Sequence, residues 1–175
     1  MILPFSTQLN GKPTYFIEKI WEGLLRTVKD DVQYIAYLNA HEKQCGKHWD
    51  YLPDEHERMT NPKLHTIRED KNDRWKPRTK IDFFINCRQK NMFRFAPILP
   101  VVSVQKVEIF YKGLFSAVAI DNVLFYTDAD FKLGKSTAGM LQLAQNDGFD
   151  TIEDFFAYFN EDFKGKIIHW TDLRY

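Results

Sequence analysis

The feature that most constrains the fold is a change of hydrophobic period at Ile81. From Ile81 to Tyr126 the sequence reads as successive β-strands, with β-branched and aromatic runs separated by turn residues. Two helical patterns follow, the first capped by Ser136 or Thr137 and the second by Thr151, and residues 166–170 form a closing strand. Strands followed by helices are typical of α+β domains. We therefore predict an α+β domain built around a mostly antiparallel sheet or small barrel.

The N-terminal part adds a helix and an irregular segment. Apolar residues recur at helical spacing between Phe16 and Leu24, which predicts an amphipathic helix. Residues 28–60 are more polar, with one predicted helix from Asp31 to about Glu42. We interpret residues 28–60 as an insertion within a single domain that covers residues 1–175, because a chain of this length suits one core.

The charge is neutral in total but uneven along the chain. The 24 basic and 24 acidic side chains cancel, which by itself argues against a strong polyanion binder. Residues 61–94, however, hold ten basic and four acidic side chains, while residues 121–163 hold nine acidic and two basic ones. A local basic surface is therefore possible on a neutral chain, although the charges could also interleave and only solvate the surface.

The sequence also bounds the compartment. No stretch approaches the ~20 apolar residues that cross a bilayer, and the apolar run at residues 1–5 contains proline and lacks a basic start. Cys45 and Cys87 cannot form a disulfide framework. We expect a cytoplasmic protein without a membrane partner.

The segment from Asn61 to Asp70 is the first place to look for chemistry. In a flat strand Lys63 and His65 would point to one face, and Thr66 and Arg68 to the other. Lys63 and Thr66 can converge only if the chain turns or bulges near Pro62 and Lys63, which proline favours.

The pattern Lys-x-x-Thr-Ile-Arg at residues 63–68 is accompanied by a second, different motif in the C-terminal half of the chain. There Asp147-Gly148-Phe149 precedes a helix at residues 151–156 and a closing strand. Together with the helix near residues 15–26, these motifs resemble the ASCH domain, a relative of the PUA RNA-binding domain. The resemblance covers most of residues 60–172. It implies a small, mostly antiparallel β-barrel flanked by helices, with a cleft for RNA or a nucleobase.

Some small members of that family are amidohydrolases that deacylate N4-acetylcytidine with a lysine, a threonine and a glutamate. The resemblance implies the corresponding roles for Lys63, Thr66 and Asp147, the last being one methylene shorter. Thr66 would supply the nucleophilic oxygen, Lys63 would act as its base, and Asp147 would orient the lysine or pass a proton to the leaving amine. The alternative is that these residues have only structural roles. Thr66 would then be an ordinary strand residue, Lys63 would be solvated, and Asp147 would be favoured by the dipole at the N-terminus of the following helix.

Basic and aromatic residues near the motif predict a binding surface. Arg68, Arg74, Lys76, Arg78 and Lys80 would contact phosphates, and Trp75 would offer a face on which a base stacks. His65 could contact a base. Trp75 could equally belong to the core, and His65 could be an ordinary hydrogen-bonded strand histidine.

Four side chains are candidate metal ligands: His41, Cys45, His48 and His56. Gly46 interrupts their helix and no fourth ligand has standard spacing, so we predict neither a metal nor another cofactor.

Three functional hypotheses remain. The chain binds RNA or a modified nucleoside, it hydrolyses N4-acylcytidines, or it is a protein-interaction adaptor that acts through residues 28–60.

Overall fold

The computed structural model describes residues 1–9, 11–53, 61–113, 115–129 and 137–175. Its contacts divide the chain into two compact units. The first unit holds residues 1–64 and 79–100, and the second holds residues 65–78 and 101–175. Each unit combines helices with strands that pair mostly in antiparallel fashion, so the predicted α+β class is confirmed. The single-domain organisation stays a prediction.

The first unit contains a small mixed sheet, a hairpin and two helices. Strand β5 is central: it pairs in parallel with β1 and antiparallel with β6 and β7, while β2 pairs with β3. The elements are β1 (Ile2–Phe5), β2 (Gln8–Leu9), β3 (Lys12–Pro13), α1 (Phe16–Arg26), α2 (Asp31–Cys45), a 3-10 turn (Trp49–Tyr51), β5 (Lys80–Ile85), β6 (Phe93–Arg94) and β7 (Leu99–Pro100).

The predicted insertion contributes to the core of this unit. The His41 ring of α2 packs edge-on against Trp21 of α1 and against Trp49, at centroid distances of 4.9 and 5.0 Å. Trp21 also donates a hydrogen bond from Nε1 to the Phe95 carbonyl at 2.7 Å. Residues 28–53 are therefore an integral part of the first unit, and residues 54–60 lie outside the described part of the chain.

The second unit is built on a five-stranded antiparallel sheet in the order β10-β9-β8-β11-β4. Its strands are β4 (His65–Arg68), β8 (Ser103–Lys112), β9 (Phe115–Ile120), β10 (Val123–Thr127) and β11 (Phe163–His169). Among the described residues β10 and β4 lie at opposite ends of this order, so the sheet is open. The closed barrel implied by the resemblance is not formed.

Local sequence signals account for the remaining elements. Asp121 and Asn122 join β9 to β10 with φ angles of 50° and 66°, the left-handed pair that a two-residue hairpin turn requires. Helix α3 spans Ala138–Asn146; Thr137 stands at its N-cap position but its side chain makes no capping hydrogen bond, and the alternative cap Ser136 lies outside the described residues. Helix α4 spans Ile152–Tyr158, and the Thr151 hydroxyl accepts the Asp154 N–H at 3.0 Å, as predicted.

Strand register gives this sheet two distinct faces. Gln105, Val107 and Ile109 of β8 are buried on one side, which we call the inner face. His65 and Ile67 of β4 share that face, because His65 pairs with His169 and Ile67 with Ile167 in the register that runs on to Gln105. Thr66 and Arg68 therefore point to the opposite face.

No helix in the described ranges has both the length and the apolar content that crossing a bilayer demands.

Candidate functional site

Lys63 is a buried lysine of the first unit, with a relative exposure of 1%. Its N–H donates to the Lys19 carbonyl of α1 at 2.9 Å, and its ammonium lies 4.8 Å from the Phe16 ring centroid and 6.0 Å from that of Phe5. Lys63 precedes β4, which begins at His65. Aromatic ring faces at such distances attract an ammonium group.

Asp147 is a buried carboxylate that closes α3 in the second unit. Its Oδ1 accepts the Ile67 N–H at 3.0 Å and lies 3.6 Å from His65 Nδ1. Because β4 ends the sheet, the carboxylate satisfies a strand N–H for which the sheet offers no further strand. The structure thus brings Asp147 to His65 and Ile67.

Thr66 is also buried, but it lies on the opposite face of β4, across from Ile168. Lys63 belongs to the first unit, whereas Thr66 and Asp147 belong to the second. The convergence of these three side chains therefore stays a prediction.

The inner face carries a group of polar side chains that sequence reasoning only partly anticipated. We call it the Tyr175 cluster: Tyr175, His65, Gln105, Asn146 and His169. The Tyr175 hydroxyl lies 2.8 Å from His65 Nε2 and accepts a hydrogen bond from Asn146 Nδ2 at 2.8 Å. Gln105 accepts the Tyr175 N–H at 2.9 Å and donates to the Tyr175 carbonyl oxygen at 2.8 Å. The cluster therefore holds Tyr175 through both its main chain and its side chain.

His169 is the least satisfied member of this cluster. It has no measurable exposure, and neither ring nitrogen has a hydrogen-bond partner within the described ranges. Burial, reinforced by the charges of His65 and Arg174, lowers the pKa of His169 to about 3. The imidazole is therefore neutral at physiological pH, with one donor and one acceptor nitrogen. Burial likewise raises the pKa of the Tyr175 phenol.

Residues 69–78, which we call the cationic loop, have a fixed backbone. Asp70 accepts the N–H groups of Arg74 and Trp75, each at 2.9 Å. The Lys166 ammonium contacts Asp70 at 2.9 Å, the Trp75 carbonyl at 3.0 Å, and the Asp73 carboxylate. Although burial acts the other way, the Trp75 and Arg74 N–H groups and Lys166 keep the pKa of Asp70 below its usual value. Despite its own burial, Lys166 has a raised pKa because Asp73 and Asp70 stabilise its charge.

The side chains of the cationic loop separate into exposed cations and one buried ring. Arg74, Lys76 and Arg78 are exposed. Trp75 is buried with a relative exposure of 5%, so it presents no free face on which a base can stack. The core alternative for Trp75 is therefore the one that the structure shows.

Two grooves meet at Glu69, where β4 ends. One, of about 420 Å³, combines a cation with aromatic and polar side chains; it is lined by Ile67, Arg68, Glu69, Tyr158, Phe159, Asn160, Glu161 and Phe163. The other, of about 350 Å³, is lysine-rich; it is lined by Glu69, Asp70, Lys71, Lys106, Val107, Glu108, Lys164, Gly165 and Lys166. Of the predicted ligand-binding residues, only Arg68 lines either groove.

Sequence reasoning missed several lining residues that strand alternation signals. Lys106 stands between buried Gln105 and Val107, and Lys164 and Lys166 alternate along β11. A period of two places such lysines together on one face of neighbouring strands. Tyr158 lies beside the buried Phe155 and Phe159 of the α4 region and is 44% exposed.

Metal coordination finds no support within the described residues, which contain no group of three or more His, Cys, Asp or Glu side chains suited to an ion. His41 Nδ1 is bonded to the Lys47 carbonyl at 2.8 Å, and His48 Nδ1 accepts the Asp50 N–H at 3.4 Å. His56 lies outside the described residues.

Comparison with protein-family models, with curated proteins and with solved structures gives no match for this chain.

Proposed function

We propose that this chain is an ASCH-like, PUA-related protein that binds single-stranded RNA or a modified nucleoside through its second unit. The observation that carries the proposal is the cationic loop, whose backbone is fixed by Asp70 and Lys166 while Arg74, Lys76 and Arg78 remain exposed. Exposed cations on a fixed backbone are suited to phosphate contacts, which dominate nucleic-acid affinity.

Order in the loop matters for affinity. A flexible loop would lose conformational entropy on binding, and that loss would offset part of the electrostatic gain. Asp70 and Lys166 fix the loop before any ligand arrives. Arg74 lies 4.0 Å from the buried Asp70 carboxylate, and Lys76 lies 3.4 Å from the exposed Asp73 carboxylate, so phosphates would compete with these two ion pairs.

The groove beside Arg68 supports the nucleoside part of the proposal. Tyr158 lines this groove and is partly exposed, so its ring is a candidate stacking surface in place of Trp75. Arg68 in the same groove adds a cation that can contact a phosphate or stack on a base. Cytoplasmic RNA is the partner class that we propose.

The test is a salt titration of RNA affinity. A labelled single-stranded RNA should bind the wild-type protein more weakly as salt rises from about 50 to about 200 mM, because bound cations release counterions. The triple variant Arg74→Ala, Lys76→Ala, Arg78→Ala should reduce the log–log salt slope by about 2, since each phosphate contact on a single strand contributes ~0.7.

A charge-matched control separates local contacts from net charge. Lys29→Ala, Lys43→Ala, Lys47→Ala removes three exposed cations from the first unit and should leave the slope unchanged. Affinity that does not respond to salt, or an equal loss in both triple variants, would refute binding through the cationic loop.

Hydrolysis of N4-acylcytidines is the second candidate, and the burial of Lys63 favours it. Lysine side chains are seldom this deeply buried, and perturbed buried lysines are frequent at functional sites, so a lysine at 1% exposure is a candidate functional group. Wild-type protein incubated with N4-acetylcytidine should release cytidine, and Thr66→Val should abolish release. Equal product from Thr66→Val and wild type would exclude Thr66 as the nucleophile.

An adaptor role is the third candidate, and it is favoured by the surface of α2. Val32 and Ile35 are 79% and 55% exposed and lie one turn apart, so they form an apolar pair on one side of the helix. Val32→Ser with Ile35→Ser removes the pair without disturbing the buried His41 side of α2. Unchanged capture of a partner by this variant would refute the adaptor role.

A further inference from the structure

We propose that the Tyr175 cluster is a base-recognition pocket and that the Tyr175 side chain occupies it as an intramolecular competitor, which a nucleobase must displace. This inference rests on the proposed function and adds a regulatory step to it. Four observations support it: the shape of the site, the main-chain anchor at Gln105, the state of His169 and the position of Asn146.

The first observation is that the site already accommodates a planar six-membered ring. The Tyr175 ring meets Phe125 and His65 edge-on, with centroid distances of 5.6 and 5.4 Å and interplanar angles of 78° and 87°. His169 lies on a further side at 6.1 Å. A pyrimidine ring has the dimensions of the phenol ring, so it fits the same slot after Tyr175 leaves.

The second observation is a two-point contact at Gln105. Its amide accepts the Tyr175 N–H and donates to the Tyr175 carbonyl. Gln105 Nε2 also donates to Asp121 Oδ2 at 3.0 Å, and because a carboxylate only accepts, this bond fixes which end of the amide donates. Both contacts are to the main chain of Tyr175, so Gln105 anchors this residue while its side chain can leave the slot.

The third observation is the buried imidazole of His169, whose nitrogens have no partner in the described part of the chain. A buried polar group without hydrogen bonds is destabilising, so packing alone would favour an apolar residue here. A base that enters the slot has ring nitrogens and exocyclic groups that can bond both nitrogens. The phenol of Tyr175 has one hydroxyl, and that hydroxyl is engaged elsewhere.

The fourth observation is the donor at Asn146. Gln142 Nε2 donates to Asn146 Oδ1 at 3.1 Å, so the Asn146 amide is oriented with its Nδ2 towards the Tyr175 hydroxyl. That N–H is directed at an acceptor oxygen now, and it would meet a carbonyl oxygen of a pyrimidine in the same place. Tyr175 thus uses contacts that a base can take over.

Occupancy of the pocket by the Tyr175 side chain has a measurable consequence for ligand affinity. A ligand that binds only when Tyr175 is displaced has an apparent affinity reduced by the fraction of molecules in the open state. Replacing Tyr175 with alanine removes the competitor and leaves a cavity of ring size. Affinity for a free nucleoside should then rise at least tenfold.

The experiment measures cytidine binding by calorimetry for the wild type and three variants. Tyr175→Ala should bind cytidine at least tenfold more tightly than wild type, and Tyr51→Ala, which removes an exposed tyrosine of the first unit, should match wild type. Tyr175→Ala with His169→Phe should lose most of the gain. Where Tyr175→Ala does not fold, Tyr175→Phe serves instead: it loses the contacts to His65 and Asn146 and should show a smaller gain.

Benzene binding serves as a control that distinguishes recognition of a base from filling of an apolar cavity. If Tyr175→Ala, or Tyr175→Phe in its place, binds cytidine no better than wild type does, or binds benzene as tightly as cytidine, the inference is overturned. The proposed function has a separate readout, because it fails when wild type shows no salt-sensitive RNA binding. A gain in cytidine affinity without RNA binding would therefore support the base-recognition pocket and refute RNA binding through the cationic loop.

Discussion

At the scale of single residues, His169 shows a polar side chain whose burial brings no compensating bonds in the described structure. Its pKa is lowered to about 3, so the native state resists protonation, whereas the unfolded chain takes up a proton near the ordinary value of 6.5. The unfolded state therefore binds more protons between these two values, and stability must fall as the pH falls through that window. Above about pH 6.5 both states are neutral and the effect vanishes.

This argument predicts the behaviour of His169→Phe. At pH 7 the variant should unfold within about 1 kcal/mol of wild type, because no hydrogen bond in the described structure is lost. At about pH 4.5 it should be more stable than wild type by roughly 2–3 kcal/mol, since it lacks the protonation penalty. Urea unfolding at both pH values checks this.

Asp121, whose pKa is lowered in the folded protein, is present in both proteins, so its acid sensitivity is common to the two profiles. Parallel pH profiles for wild type and His169→Phe would contradict the prediction.

Sequence reasoning at this scale identified some residues but could not assign their surroundings. Asp147 and His65 were singled out, and the structure places them 3.6 Å apart. Trp75 was predicted with an open alternative, because a ring in a charged loop is buried only if the chain folds back over it. The contacts that fix this loop come from Lys166, which is 91 residues away. No local pattern encodes such a pairing.

At the scale of elements, the close packing of residues 63–64 on α1 explains why position 23 is a glycine. A Cβ atom on Gly23 of α1 would lie 2.8 Å from the Lys63 carbonyl oxygen and 2.9 Å from Leu64 Cδ2. The Lys63 N–H is also bonded to the Lys19 carbonyl, so this backbone cannot easily withdraw. The path of residues 63–64 over α1 therefore requires the absence of a side chain.

Gly23→Ala should consequently destabilise the protein by about 1–3 kcal/mol, the cost of overpacking a tight interior. Thermal or urea unfolding measures the loss. Gly139→Ala is the matched helical control, because a Cβ there would meet only Phe125 Cζ at an ordinary 3.5 Å. The control should gain up to about 1 kcal/mol from helix propensity. Equal effects of the two substitutions would show that helix propensity, and not contact with residues 63–64, controls the response.

Elements with strong local signals were predicted well. The β9–β10 hairpin follows from Asp121-Asn122, and α4 follows from Thr151 and Asp154, because turn and cap geometry depend on neighbouring residues. The prediction of a closed barrel was wrong. Closure requires the two end strands of the sheet to pair, and strand order depends on contacts between residues that are distant in sequence. The packing of α2 was not predicted, because its weak periodicity does not reveal that His41 packs between two tryptophans.

At the scale of the whole molecule, the two units are interleaved along the chain. The second unit needs residues 65–78 as well as 101–175, since β4 pairs with β11 and Lys166 fixes the cationic loop. A fragment of residues 101–175 lacks the end strand of its sheet. Contacts between residues distant in sequence thus determine whether this unit forms.

We predict that fragment 101–175 shows no cooperative unfolding transition alone and gains one when a peptide of residues 65–78 is added. The peptide restores the β4–β11 register and the contacts of Lys166 with Asp70 and Trp75. Circular dichroism during thermal unfolding would detect the change. A peptide carrying Ile67→Asp should fail to complement, and a fragment that unfolds cooperatively without peptide would contradict the prediction.

The bond from Ile67 N–H to Asp147 has a further consequence for how copies of the protein behave in a crowded solution. A strand that ends a sheet is a template on which a neighbouring polypeptide can add, and such growth leads to aggregates. A carboxylate placed on that template acts as a gatekeeper, because an incoming strand would have to displace a buried negative charge. We therefore expect Asp147 to oppose the addition of a further strand at β4.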